Sequence, residues 1–395
     1  MNNNDDRKWM EVALQWAAKG KGWNSPRPSV GCAIVKDGQL IGAGHTQRGD
    51  GNPHAEVMAL RDAARQHKST FGATAYVTLE PCSHYATTPP CSKSLIEAGI
   101  TRVVAGVCDP NPAVNGRGYT QMREAGIEVV TNFMALECAR HDEHFLKQIS
   151  TESPFVTLKA AISLDGKIAL KDGTSQWITG EAARERAHYL RHCHDAVLIG
   201  SGTAIADNPQ LSVRLEGKHK QPARVVIDSK GILSPDLKLF DRSTFVTLSE
   251  PTRGEVEMPQ IYVATTARMT EEKRSALEQR GAKVLLLPEN ENHIDLKVLL
   301  KELYSQGIYS ILAEGGSLLS GALLREQLVD KVVCFVAPMI IGEGISMTTG
   351  LEINSLEDAL RLQDVQTAIY DEDVEISGYL EPWASQVKQL CEENH

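Results

Sequence analysis

From Phe155 onward, the alternation of strand and helix starts afresh. "FVTLKAAI" (155–162) reads as a strand and "SLDGK" as a turn, and residues 181–192 have helical spacing. Further strands follow at "AVLIG" (196–200), "ARVVID" (223–228), "IYVAT" (261–265), "AKVLLL" (282–287) and "YSILAE" (309–314), and β-rich sequence ends the chain. An alternation of the same kind fills the first 150 residues. Trp9, Met10, Ala13, Leu14, Trp16 and Ala17 mark an amphipathic helix, and strands lie at 30–35, 39–44, 74–79, 102–107 and 127–130. Helices are expected over 54–67, from Cys91, over 117–125 and on to about 149. Strands that alternate with helices fold as layered α/β domains. "ISTESP" (149–154), short, polar and closed by proline, separates the two runs. With 395 residues, each half is long enough for its own core. The expectation is two α/β domains, 1–150 and 151–395.

The chain carries 51 acidic and 41 basic residues, a net charge of −10, with no Lys/Arg-rich run. Binding duplex nucleic acid or an anionic membrane takes a basic face, whereas a small anion needs only a few local arginines. "MNNNDDRKW" has no basic segment followed by an apolar one, and no apolar run is as long as a membrane span. Eight cysteines in such a chain read as thiols or metal ligands, and the expected compartment is the cytoplasm.

Two phrases carry chemistry in the first half: "NPHAEVMAL" (52–60) and "VTLEPCSHYATTPPCSKSLIEAG" (77–99). A catalytic zinc takes three protein ligands and leaves one position for water, whose pKa it lowers. His54, Cys82 and Cys91 supply one imidazole and two thiolates. Glu56, two residues beyond His54, supplies the non-ligand carboxylate that moves protons, the His-x-Glu and Pro-Cys arrangement of zinc deaminases. A lone His-x-Glu means nothing; the ordered set, with Cys91 opening a helix that favours its thiolate, is specific. A structural zinc would need a fourth ligand, for which only His84 is near. Cys32, Cys108 and Cys334, in or beside strands, read as inert core thiols.

The second half is less explicit. "ILAEGGSLL" (311–319) and "LIGSGTAIADNPQLSVR" (198–214) are strand–glycine–helix turns whose backbone N–H groups could cradle phosphate, and "GTSQWITG" (173–180) presents a tryptophan. Gly200 and Gly202 with Asp228 imitate a dinucleotide fingerprint. Ile205 occupies the third glycine position, however, and Asp228 comes later than that motif places its acid.

The phrases "SPRPSVGCAIVKDGQLIGAGH", "PHAEVMAL", "TLEPCSHYATTPPCSKSLIEAGI" and "GVCDPNPAVNGRGYTQMREAGIEV" together resemble the deaminase half of the bifunctional deaminase–reductases of riboflavin biosynthesis. "LKAAISLDGKIALKDGTSQWITG", "LRHCHDAVLIGSGTAIADNPQLSVR", "VVIDSKG" and "ILAEGGSLLSGALLREQLVD" resemble their reductase half, over most of 154–345. The resemblance implies a three-layer cytidine-deaminase-like domain followed by a dihydrofolate-reductase-like domain that uses NADPH. It places Ala161, Trp177, Thr203, Asp207, Ser229, Gly316 and Ser317 at the cofactor; Lys230, next to Ser229 in sequence, is a cation placed to meet a 2′-phosphate. Ser175, Arg191, Leu211, Arg214 and Glu314 fall at the substrate, with Lys159 a further position there. Two arginines suit a phosphorylated substrate. Three places depart from the family pattern: Arg27 for an usual Asn, Met58 for His, and Ala86-Thr87 for Gly-Arg.

The implied function is zinc-dependent deamination of 2,5-diamino-6-(5-phosphoribosylamino)pyrimidin-4-one, then NADPH reduction of the ribosyl group to ribityl. The alternative, prompted by the three departures, is a divergent paralogue acting on a related pyrimidine in a specialised pathway. A nucleic-acid-editing zinc protein is disfavoured by the acidic charge, and an inactive zinc scaffold by Glu56. The expected partners are phosphoribosyl pyrimidines and further copies of the chain, with no nucleic acid and no membrane.

Overall fold

Trp9, Met10, Ala13 and Ala17 recur at helical spacing and form the buried face of the first helix, α1 (Asn3–Ala18). The computed structural model describes residues 3–48, 51, 53–83, 89–111, 114–241 and 258–392. The chain divides into two compact units, Met1–Glu152 together with the segment from Trp383, and Ser153–Pro382.

In unit 1, β1 (Gly31–Lys36) and β2 (Gln39–His45) make a hairpin, and α2 (Ala55–Arg65) follows. Then come β3 (Thr74–Leu79), α3 (Cys91–Glu97), β4 (Arg102–Val107), α4 (Arg117–Glu124) and β5 (Glu128–Val130). The sheet order is β2-β1-β3-β4-β5, antiparallel across β2-β1-β3 and parallel from β3 to β5. Every residue of β3 is buried, so the sheet is covered on both faces, giving three layers. The Asp6 carboxylate, on α1, takes two hydrogen bonds from Arg102 (2.8 and 2.9 Å) and one from the Tyr76 hydroxyl (2.8 Å), fixing α1 on β3 and β4. The single polar helix expected up to about 149 is two, α5 (Ala135–His141) and α6 (Glu143–Thr151). Asp142 interrupts them because its carboxylate accepts the Ser29 N–H at 2.8 Å.

In unit 2, the strands are β6 (Phe155–Ser163), β7 (Lys167–Leu170), β8 (Ala196–Gly200), β9 (Ala223–Asp228), β10 (Ile261–Thr265) and β11 (Ala282–Leu286). The short pair β12 (Glu289–Asn290) and β13 (His293–Ile294) follows, then β14 (Ser310–Ala313), β15 (Lys331–Ala337), β16 (Gly344–Ser346), β17 (Gln363–Tyr370) and β18 (Asp373–Tyr379). Nine of these strands form one sheet in the order β11-β10-β9-β8-β14-β6-β15-β18-β17, parallel as far as β15 and antiparallel beyond it. Its helices are α7 (Glu181–Cys193), α8 (Ser201–Asp207), α9 (Glu271–Gln279), α10 (Leu296–Ser305) and α11 (Ser317–Arg325). Alternate residues feed different cores: Leu198 and Val225 pack with Leu299 and Leu303, while Val197, Ile199 and Val226 pack with Leu277. That is why these strands read as unbroken apolar runs.

A helix over Trp383–Glu392 ends the described chain and groups with unit 1, although the sequence division places it in the second domain. Trp383, Val387 and Cys391, four residues apart, are buried, and their stripe packs against α5. No helix among the described residues is long and apolar enough to cross a membrane.

Candidate active sites

His54 is the residue from which α2 starts, and Glu56 lies in that helix's first turn, only 3% exposed. Cys82 comes three residues after β3, and Cys91 is the first residue of α3. Folding brings one donor atom from each of His54, Cys82 and Cys91 to within 4.8 Å of the others. His54 Nδ1 lies 3.2 Å from Cys91 Sγ and 3.5 Å from Cys82 Sγ. Tetrahedral zinc, with bonds of about 2.3 Å to sulfur and 2.0–2.1 Å to nitrogen, needs donors roughly 3.5 Å apart, so this set fits it. The Cys91 thiol and then His54 draw Cys82 down to about 4, making it the readier thiolate. Burial raises the Glu56 carboxyl above its usual range, with His54 opposing.

The sequence reading did not find the groups that hold this centre in place. Ser92 N–H donates to the Cys82 carbonyl at 3.1 Å, and its hydroxyl donates to Gln121 Oε1 at 2.8 Å. Glu80 is 3% exposed; its Oε2 accepts the Gly116 N–H at 3.1 Å, and burial pushes its carboxyl up to about 7. A charged residue closing an apolar strand was the visible signal. Gly118, on α4, lies so close to the loop that a Cβ would sit 2.1 Å from the Pro81 carbonyl oxygen. Gly118→Ala is therefore expected to shift Pro81 and Cys82 and to weaken zinc binding roughly 10–100-fold, the usual cost of losing a ligand's support. Competitive chelator titration measures it, and unchanged affinity would show that the loop can yield. Of the departures, Arg27 donates to the Gln47 carbonyl at 3.1 Å, and its charge acts on His54. Met58 lies on α2 against Gly44. His84, Ala86 and Thr87 lie outside the described residues.

In unit 2, several expected residues gather where the parallel strands end, the side on which open α/β sheets bind ligands. Glu314 follows β14, Ser229 follows β9, and Gly316 and Ser317 open α11. Ala161 and Lys159 lie on β6, two residues apart and so on one face. Arg191, on α7, grips Glu314 with two parallel hydrogen bonds, Nε to Oε1 at 2.6 Å and Nη2 to Oε2 at 2.9 Å. Lys159 Nζ is 4.0 Å from the same carboxylate. Burial would raise Glu314, but Arg191 and then Lys159 bring it down to about 2. His188, one turn before Arg191, was missed. Its Nδ1 lies 3.1 Å from the Ser212 carbonyl, and burial, then Arg191 and Arg214, lowers it to about 4.

Thr203 Oγ1 accepts the Gly316 N–H at 3.1 Å, joining two of the expected cofactor positions, and Ser175 hydrogen-bonds to Asp207. The Ser317 and Thr349 hydroxyls are hydrogen-bonded. Leu211 is buried in the core with Ile199 and Val226, whereas Arg214 is exposed. Trp177 is 63% exposed, with the Arg184 guanidinium 4.6 Å above its ring. Asp228 is fully buried and caps its own turn: its two oxygens accept the N–H groups of Ile232 (3.0 Å) and Leu233 (2.9 Å). That explains the false dinucleotide fingerprint, since this carboxylate is committed to the backbone. Ser229 Oγ accepts the Ile294 N–H at 3.2 Å, and Lys230 is exposed beside it.

Two family models match: the cytidine and deoxycytidylate deaminase zinc-binding region over residues 3–107, and the RibD C-terminal domain over 154–376. Riboflavin biosynthesis protein RibD of Aquifex aeolicus is 39% identical over 371 residues, covering 94% of this chain and 97% of its own. The Escherichia coli protein of the same name is 41% identical over 362 residues, covering 88% and 92%. A crystal structure of a diaminohydroxyphosphoribosylaminopyrimidine deaminase/5-amino-6-(5-phosphoribosylamino)uracil reductase from Thermotoga maritima matches with a TM-score of 0.80 at 32% identity, over 95% of this chain and 99% of the other. Unit 1 thus has the cytidine-deaminase-like fold and unit 2 the reductase fold, and none of these comparisons favours a paralogue in a specialised pathway. With both halves matched in order and nearly end to end, the chain belongs to the RibD family, the bifunctional deaminase–reductases of riboflavin biosynthesis.

Proposed function

We propose that this chain deaminates 2,5-diamino-6-(5-phosphoribosylamino)pyrimidin-4-one in the domain built on residues 1–150. The domain built from 151 onward then reduces the product's ribosyl group to ribityl. The observation that carries the first step is the convergence of His54, Cys82 and Cys91 beside the buried Glu56. Those three residues would hold the zinc. When bound, zinc acts as a Lewis acid and makes water a nucleophile near neutral pH. Glu56 takes the proton released and returns it to the departing amine, and burial raises its carboxyl above the usual range. Cys82→Ser and Cys91→Ser should each lose most of the metal, read by elemental analysis; full zinc in both would remove the assignment.

The second cofactor is NADPH, a hydride donor. Thr203, Gly316 and Ser317 offer hydroxyls and backbone N–H groups to it, Ala161 and Trp177 apolar surface, and Asp207 a carboxylate. Ser229 and Lys230 meet the 2′-phosphate. Ser175, Leu211, Arg191, Arg214, Glu314 and Lys159 receive the substrate, with the exposed Arg214 facing its phosphate. A charge-assisted hydrogen bond contributes about 1.5–3 kcal/mol, or roughly 10–100-fold in affinity. Ser229→Ala/Lys230→Ala should therefore lose that much of the preference of kcat/KM for NADPH over NADH, and an unchanged ratio would move the phosphate elsewhere.

The chain acts on small molecules in the cytoplasm as a homo-oligomer, without nucleic acid, a reading supported by its acidic charge. The direct test incubates the zinc-loaded protein with the diaminopyrimidine substrate, with and without NADPH, and weighs the products. Absence of the deaminated pyrimidine without NADPH, or of the ribityl product with it, would refute the corresponding half.

A further inference from the structure

The C-terminal helix carries one cysteine, and that cysteine meets another. Trp383, Val387 and Cys391 are 7%, 4% and 5% exposed and form the stripe that seats the helix in unit 1. In its last turn, Cys391 Sγ lies 2.8 Å from Cys108 Sγ, across 283 positions of sequence. Cys108 directly follows β4 and is 1% exposed, and Tyr119 of α4 is buried beside both thiols. The sequence reading takes Cys108 for an inert core thiol, because its partner stands at the far end of the chain. Two sulfurs this close are inside ordinary van der Waals contact, and a bonded pair at about 2.05 Å is less than 1 Å away.

We propose that Cys108 and Cys391 form a reversible thiol–disulfide pair that staples the C-terminal helix to the end of β4. The oxidant is a peroxide. Cys391 attacks as thiolate: an S–O bond forms, the O–O bond breaks, and hydroxide leaves and takes up a proton. Cys108 then loses its proton and attacks the sulfenic sulfur; the S–S bond forms, the S–O bond breaks and water leaves. Two thiols give up two electrons, and hydrogen peroxide becomes two waters. Cys391 attacks first because it is the less buried of the two, 5% exposed against 1%. The hydrogen bond from Cys108 also draws Cys391 down to about 7. The staple ends one residue before Asp109, on the segment that leads to Gly116, whose N–H holds Glu80 ahead of Pro81 and Cys82. Oxidation therefore braces the support of the metal loop while leaving the metal ligands alone.

The test treats the zinc-loaded full chain with a slight excess of hydrogen peroxide, then unfolds it and alkylates the thiols. Of the eight cysteines, the number alkylated should fall to six, and dithiothreitol should restore eight. The unreduced peptide map should join Cys108 to Cys391, with zinc content unchanged. That map needs no variant. In Cys391→Ser protein, all seven remaining cysteines should stay alkylatable after the same treatment. Eight thiols surviving in the wild type, a link between Cys82 and Cys91, or two thiols lost from the Cys391→Ser protein would each overturn the pairing.

Discussion

Glu56→Gln protein is expected to keep its zinc and its reductase activity while deamination falls about 10²–10⁴-fold, the usual contribution of a general acid–base group. Glutamine matches glutamate in size, so the first turn of α2 and the position of His54 are preserved, and no metal donor is lost. What disappears is a carboxylate that can accept a proton and return it. Zinc measured on the purified variant, deamination followed by product mass, and reduction of separately supplied deaminated substrate separate the three possible losses. Unit 1 and unit 2 have separate sheets and separate cores, so reduction should proceed at the wild-type rate. A parallel loss of reduction would show that the two sites do not work independently, and loss of zinc would make Glu56 a metal-supporting residue instead.

The two halves differed in how far the sequence could be read, for a physical reason. Zinc restricts its donors to a few residue types, so His54, Cys82 and Cys91 stand out by residue type together with their order along the chain. Their supports do not. Gly116 and Gly118 matter through contacts with residues at the end of another strand, which nothing local in the sequence marks, and Glu80 shows only as a charged residue closing an apolar strand. The same limit explains Arg191 and Glu314, 123 positions apart, whose pairing only the folded sheet creates. His188 was within reach, because helical spacing puts it on the same side of α7 as Arg191. Asp228 shows the converse, where a local motif imitates a ligand site, the sequence analysis sets it aside on Ile205 and the spacing, and the fold uses the carboxylate as a turn cap. The C-terminal helix shows the first limit again: the sequence is read as β-rich to its end, and the surface that receives Trp383, Val387 and Cys391 lies far away along the chain.

Glu314→Gln is expected to destabilise unit 2 by about 3–5 kcal/mol, because it leaves the Arg191 guanidinium buried without its carboxylate. Lys159, already lowered by burial, loses the neighbour that opposes this and should be lowered further. The pair also sets an acid limit. Glu314 is held at about 2, below its unfolded value near 4.5, so its contribution is complete above pH 4.5 and fades as the pH falls towards 2. The double variant Arg191→Met/Glu314→Leu removes both charges and fills the space, and replacements of this kind are often neutral or stabilising. Denaturant unfolding of the wild type, both single variants and the double variant gives the coupling directly. Reductase activity then separates brace from binding site. If Arg191 and Glu314 receive the substrate, the double variant should unfold like the wild type yet reduce far more slowly, chiefly through a raised KM. Wild-type activity in a stable double variant would make the pair a structural brace and leave Arg214 and Lys159 as the charged groups that meet the substrate.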